Sequence, residues 1–300
     1  MVEVAAAVIE RADGAFLLAQ RPAGKVYAGW WEFPGGKIEH GEPADRGLAR
    51  ELHEELGIDV RCAYPWITRV FAYPHATVRL HFFRVVEWSG EPHPKERQAV
   101  RWQRLDAPMA EPMLPANAPV LASLALPLEY AITDAATLGV EAMLAHVERR
   151  LAEGLQLIQV REPPTVGENF ARRVIDLAHR NGARVLTKTL FDGADGVHYT
   201  AADLMALRER PRGMLAAASC HDAAELAHAM RLELDFAVLG PVKATRSHPG
   251  APLLGWAGFA RLSRGSPIPV YAIGGLARVD LDRARRAGAH GVALLSGAWS

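Results

Sequence analysis

The chain has 300 residues, half of them apolar and 23% charged, a length and composition suited to two ordinary globular domains. Its 34 basic and 34 acidic side chains cancel, which removes any bulk attraction to a nucleic acid polymer or an anionic membrane but leaves room for a small anionic substrate. Two distant cysteines, Cys62 and Cys220, exclude a disulfide framework or a zinc site, and the absence of a signal peptide or a long apolar run leads us to expect a soluble cytoplasmic protein.

Taken in chain order, short apolar runs at 4–9 and 16–20 flank Asp13-Gly14, a hairpin signal. A Gly-rich turn, Phe33-Pro34-Gly35-Gly36, leads to a helix predicted over 43–56. Pro43 suits the helix start, where a missing N–H costs little, and Gly57 suits its end. Strands are expected at 68–73, 78–88 and 99–104, then a proline-rich turn and a short helix over 119–125. Beyond Tyr130 the rhythm changes to β-type runs alternating with Ala/Leu/Arg-rich helical stretches. The runs fall at 130–133, 155–161, 184–187, 196–199, 215–219, 236–240, 269–273 and 291–295. This alternation implies parallel strands with right-handed crossovers, hence a (β/α)8 TIM-type barrel. Because 187–196 is too short for a full helix and little chain follows 295, an open doubly wound sheet is the alternative. The expected domains are 1–127, an α+β unit with a mixed sheet, and 128–300, the α/β barrel.

The most informative stretch is GKIEHGEPADRGLARELHEELGI, residues 36–58. Glu51, Glu54 and Glu55 stand at i, i+3 and i+4 and so share one helical face. Clustered carboxylates repel unless neutralised, and hard oxygen donors are what Mg²⁺ and Mn²⁺ prefer. Such an ion would screen a polyphosphate, orient it and activate water. Three glutamates alone also fit a solvated acidic face. The complete spacing is more specific: Gly36, Glu42, Arg50-Glu51-Leu52, Glu54-Glu55 and Gly57-Ile58 resemble the Nudix box at every defined position.

The resemblance extends to the MutT branch of Nudix hydrolases, which convert 8-oxo-dGTP to the monophosphate and pyrophosphate. Trp31 to Glu39 resembles the segment leading into that branch's box, Lys95-Glu96 its further glutamate, Leu114 to Val120 its purine-reading segment, and Arg21 a phosphate-contacting arginine. The resemblance implies metal binding by the Gly35 carbonyl and by Glu51, Glu54, Glu55 and Glu96. It implies Glu51 or Glu96 as the base that activates water, with Arg50 and Glu54 completing the catalytic set. Substrate contacts would fall to Arg21, Phe33, Lys37 and Asn117. Water would attack the β-phosphorus of a nucleoside triphosphate. One departure lies at Tyr73-Pro74-His75-Ala76, where Ala76 stands for a basic residue of the family.

Residues 130–300 resemble thiamine phosphate synthase and its TenI-like relatives through Gln159-Val160-Arg161-Glu162, Asp195-Gly196-Val197-His198, Ser219-Cys220-His221, Gly240-Pro241-Val242 and Gly274-Gly275. The implied ligand pocket comprises Gln159, Arg161, Asp203, Ser219, Thr245, Gly274, Gly275 and Ser296, and its ligand would be a thiamine-related phosphate. The family pattern is broken at three places. Pro163 stands for a lysine, Leu186-Thr187-Lys188-Thr189 for the strand end with an Asn-Asp pair, and His248 for a pyrophosphate-contacting lysine. Loss of one carboxylate and two ammonium groups dismantles the clamp on a departing pyrophosphate, so the barrel is expected to be catalytically degenerate. The alternatives are a bifunctional enzyme and a barrel that senses its ligand as a regulatory module.

Overall fold

A computed structural model describes residues 1–95, 99–245, 250 and 252–299. The chain forms two compact units, the first built from Met1–Ala125 and the second opening at Leu126. No helix among the described residues is long and apolar enough to cross a membrane.

In the first unit, β1 (Val2–Ile9), β2 (Phe16–Gln20), β3 (Trp31–Glu32) and β4 (Gly35–Lys37) precede α1 (Ala44–Leu56). Then follow β5 (Asp59–Tyr73), β6 (Ala76–Ser89), β7 (Val100–Gln103) and α2 (Ala118–Leu124). Two sheets result, ordered β4-β1-β6-β5 and β3-β2-β7. β1 pairs antiparallel with β4 and parallel with β6, and both its faces are covered. Ala5, Ala7 and Ile9 pack with Leu48, Leu52 and Leu56 of α1, while Ala6 and Val8 pack with Phe16, Phe82 and Val120. This is the period-2 alternation of a strand between two cores.

Three details differ from the sequence expectation. The Asp13-Gly14 turn forms, with the Ala15 N–H donating to Asp13 Oδ1, but β1 and β2 do not make a hairpin ladder. Beyond one bridge between Glu10 and Phe16 they part into separate sheets. β5 begins nine residues before 68, at Asp59, and bends through three register shifts between Val60 and Thr68. Pro65 disguises that stretch, since proline usually argues against strand and is tolerated at irregularities. Residues 35–37, read as part of a turn and its exit, form a strand of their own.

The second unit is a closed barrel of β8 (Glu129–Ile132), β9 (Leu157–Val160), β10 (Arg184–Thr187), β11 (Gly196–Tyr199), β12 (Leu215–Cys220), β13 (Phe236–Leu239), β14 (Val270–Ile273) and β15 (Gly291–Leu294). All eight pairings are parallel and run in chain order, and β15 closes on β8. Closure excludes the open doubly wound alternative. The helices are α3 (Ala135–Leu138), α4 (Val140–Ala152), α5 (Glu168–Arg180), α6 (Ala201–Ala206), α7 (Ala223–Arg231), α8 (Gly255–Ser263) and α9 (Leu281–Arg286). Residues 188–195 carry no helix, and among the described residues a 3-10 turn, Ser296–Ala298, is the last element after β15. The barrel still closes, because closure depends on the strand ladder and not on a complete helical ring. Tyr130, Leu157, Leu186, Phe236, Val238 and Tyr271 fill the interior, while Ala237, Leu239, Val270 and Ala272 face the helices.

Candidate active site

Helix α1 is shaped by its punctuation. Pro43 is extended at φ −64°, ψ 143° immediately before it, and Gly57 ends it at φ 69°, where its N–H donates to the His53 carbonyl. With Leu48, Leu52 and Leu56 fixed in the core, the face carrying Glu51, Glu54 and Glu55 is directed outward. The carboxylates differ in setting: the Glu51 side chain is 16% exposed and that of Glu54 is 58% exposed.

The glycine pair of β4 is required by close approach. Gly35 has φ +145°, and a Cβ there would lie 2.1 Å from the Ala5 carbonyl oxygen. At Gly36 a Cβ would lie 2.1 Å from Glu51 Oε2. The missing side chain therefore makes the space in which the Glu51 carboxylate rests on the β4 backbone.

Arg50 organises the remaining groups. Its Nε and Nη2 donate to Glu42 at 3.1 and 3.0 Å, and Nη2 also donates to the Lys37 carbonyl at 2.9 Å. Its Nη1 donates to Glu51 Oε1 at 2.9 Å and Glu54 Oε2 at 3.3 Å. One guanidinium thus engages three carboxylates and a main-chain carbonyl, using the fork geometry that lysine lacks. Hydrogen bonds from Arg50, with the Glu39 N–H, hold the Glu42 carboxyl below its ordinary value, and hydrogen bonds to Glu42 and Glu51 raise that of Arg50. Sequence reasoning gave Glu42 no role beyond its box position, whereas the structure makes it the two-point anchor of Arg50.

The donor set is of a kind that a hard divalent cation accepts: carboxylates of Glu51, Glu54 and Glu55 on one face, with Gly35 next to the glycine on which Glu51 rests. Among the described residues no three His, Cys, Asp or Glu groups converge on one point, and Glu51 and Glu54 are both turned to Arg50. Glu96 lies outside the described residues. Its predecessor Lys95 docks on the end of α1, its N–H donating to the Glu55 carbonyl at 2.9 Å and its Nζ to the His53 carbonyl at 2.8 Å.

The four expected substrate contacts have different surroundings. Arg21 is bound to Glu32 through Nη1 at 2.8 and 2.6 Å and to the Val26 carbonyl through Nε. Burial raises the Glu32 carboxyl despite the opposing pull of Arg21. Phe33 packs in the core between Phe16 and Phe82. Lys37 has an exposed side chain, and its carbonyl accepts from Arg50. Asn117 closes the turn Pro115–Asn117 and is 4% exposed, with Nδ2 pointing to the Trp31 carbonyl at 3.4 Å and Met113 Sδ at 3.3 Å.

In the barrel, Ser219 meets a buried partner. His198 Nε2 lies 2.9 Å from Ser219 Oγ, and His198 Nδ1 lies 3.0 Å from the Tyr130 hydroxyl. Burial, reinforced by the charge of Arg161, pushes His198 down to about 3, so the ring is neutral. Nothing local in the sequence marks Tyr130 or His198 as a site residue, although both stand in strands legible from sequence. Gln159 is buried on β9 between Ile132 and Leu186. Arg161 is exposed, its N–H held by Thr133 Oγ1. Asp203 belongs to the first turn of α6, where its carboxylate accepts from Thr200 Oγ1 at 2.6 Å. Gly274 and Gly275 admit the neighbouring loop: a Cβ at Gly274 would lie 2.6 Å from Pro241 Cβ, and one at Gly275 2.3 Å from the Ala244 carbonyl oxygen. Thr245 follows Ala244 in that loop, and Ser296 is exposed at the start of the final turn. His248 lies outside the described residues. At the strand end that differs from the family, Thr187 Oγ1 donates to the Thr189 carbonyl.

Comparison with known proteins divides the chain in the same way. Residues 5–123 match the NUDIX domain and residues 129–298 match the family described as thiamine monophosphate synthase. Over 121 residues the chain is 40% identical to a CTP pyrophosphohydrolase of Escherichia coli (strain K12), covering 40% of this chain and 89% of the relative. It is 35% identical over 123 residues to an 8-oxo-dGTP diphosphatase of the same organism, covering 41% and 95%. Over 178 residues it is 30% identical to a thiamine-phosphate synthase of Chloroflexus aurantiacus, covering 56% and 82%.

Proposed function

Since the chain belongs to the Nudix hydrolases over residues 5–123 and to the thiamine monophosphate synthase family over residues 129–298, we propose that its pyrophosphohydrolase unit converts oxidised purine nucleoside triphosphates such as 8-oxo-dGTP to the monophosphate and pyrophosphate. The observation that carries this reading is the fixed position of Glu51, resting on Gly36 and held by an arginine that Glu42 grips at two points. Glu51, Glu54, Glu55 and the Gly35 carbonyl would hold Mg²⁺ or Mn²⁺, with Glu96 as a further donor. The ion would lower the pKa of an attacking water and screen the phosphate oxygens. Glu51 would take the water's proton, with Arg50 setting its orientation. Lys37 would supply positive charge for the phosphates together with Arg21, whose Nη1 is otherwise paired with Glu32, and Asn117 would exchange its contacts to the Trp31 carbonyl and Met113 Sδ for the base edge. A CTP-hydrolysing relative at 40% identity favours a second reading in which pyrimidine triphosphates are also accepted.

For the barrel we propose a retained fold whose synthase chemistry is lost. The replacements Pro163 and Thr187 support this, and so does the turn of Asp203 toward Thr200. A bifunctional enzyme, or a sensor of a thiamine-related phosphate, are the competing readings.

Pyrophosphate release from 8-oxo-dGTP, dGTP and CTP, with and without Mg²⁺, tests the hydrolase reading. Turnover should require the metal, regain its rate with Mn²⁺ and fall at least about a hundredfold in Glu54→Gln. Metal-independent turnover, or full activity in that variant, would refute it.

A further inference from the structure

Three aromatic rings, flanked by Trp30 and by Phe71 at 4.5 Å from Tyr73, gather on the first unit where the core does not account for them. The Tyr27 ring lies 5.6 Å from that of Tyr73 and 6.1 Å from that of His75, and Tyr73 and His75 stack at 5.5 Å with their planes 30° apart. Trp30 meets Tyr27 edge-on at 5.1 Å. None of the three belongs to a buried cluster, and His75 is exposed. Tyr27 is held at φ +61°, a conformation that side-chain-bearing residues seldom adopt and that tends to accompany binding sites.

The rings adjoin the substrate elements. Tyr73 sits beside Glu32, Arg21 and the backbone of Ala116, and burial followed by the Glu32 charge pushes its phenol up to about 12. Ala116 is next to Asn117, and four residues of β3–β4 chain, at most about 14 Å when extended, lead from Glu32 to Gly36 under the Glu51 carboxylate.

We propose that Tyr27, Tyr73 and His75 form a stacking surface that takes the substrate's base by its π-face and so makes the unit tolerant of purines and pyrimidines. Every base has such a face, so stacking binds without reading the sequence of donors and acceptors on the edge. The inference rests on the nucleoside triphosphate reading above and favours its second form, in which pyrimidine triphosphates are accepted beside purines.

The test measures affinity separately from turnover. The full chain is titrated in Mg²⁺ with α,β-methylene analogues of a purine and a pyrimidine triphosphate, and with inorganic tripolyphosphate as the ligand without a base. Kd for both analogues should rise about tenfold in His75→Ala and in Tyr27→Asn, the latter chosen because asparagine tolerates positive φ. His75→Phe should restore it, and tripolyphosphate affinity should not follow the ring. The proposal is overturned by unchanged affinity in both variants, by a loss confined to one base, or by analogues that bind wild type no better than tripolyphosphate. Base-dependent binding without hydrolysis of any triphosphate would leave the stacking surface standing and remove the hydrolase reading.

Discussion

The Glu51 carboxylate occupies the space a Gly36 side chain would need, with Oε2 only 2.1 Å from the ideal Cβ position. A strand residue and a helix residue fifteen positions apart are thereby fitted to each other, and the consequences differ sharply between the two neighbouring glycines.

Gly36→Ala should displace the Glu51 carboxylate, which is the far end of a flexible side chain, and leave the fold in place. Turnover is expected to fall on the order of a hundredfold, the usual effect of a displacement near 1 Å at a reacting group. Gly35→Ala must instead push against the Ala5 backbone at positive φ, and should cost about 2 kcal/mol or more of stability. Paired kinetics and thermal melts separate the two; equal melting losses would contradict the assignment.

Arg50→Lys keeps the charge and loses the fork. Because Glu42, Glu51, Glu54 and the Lys37 carbonyl are all held by one planar group, a 10- to 100-fold loss in kcat is expected, about that seen when groups orienting a metal ligand are removed. If lysine supports the wild-type rate, Arg50 contributes charge alone.

Glu42 adds an acid limit to the first unit. Its folded-state value is depressed, so the associated stability is present above the ordinary value of 4.5 and is lost as pH falls through the lower folded value. Glu42→Gln should abolish this part of the acid sensitivity, as read by denaturant midpoints between about pH 5 and 3.

His198 makes the barrel acid-sensitive at a higher pH. Its value falls from 6.5 to about 3 on folding, so the unfolded chain binds the extra proton between those limits. Stability should therefore be full above pH 6.5 and decline on acidification toward pH 3, by up to about 1.4 kcal/mol per pH unit. His198→Gln should flatten that decline in a two-wavelength melt, and an unaltered slope would show that the ring is protonated in the folded barrel.

The barrel should form no thiamine phosphate when supplied with the pyrimidine pyrophosphate and the thiazole phosphate. A product peak above the uncatalysed background would revive the bifunctional reading in spite of Pro163 and Thr187.

By itself the sequence determined what short-range chemistry encodes. The period of Leu48, Leu52 and Leu56, the start at Pro43 and the stop at Gly57 made α1 and its carboxylate face legible, and eight β-type runs placed the barrel strands almost residue by residue. The tertiary structure decided matters in which distant segments meet. Pairing sent β2 to a different sheet from β1, and ladder closure chose the barrel over an open sheet. Packing brought Tyr27 to Tyr73 and His75, joined Tyr130 to Ser219 through His198, and turned Asp203 to its own helix cap. Periodicity and turn propensity act over a few residues, so they appear in the sequence. Contacts across tens of residues depend on how the sheets and helices pack, and no local pattern records them.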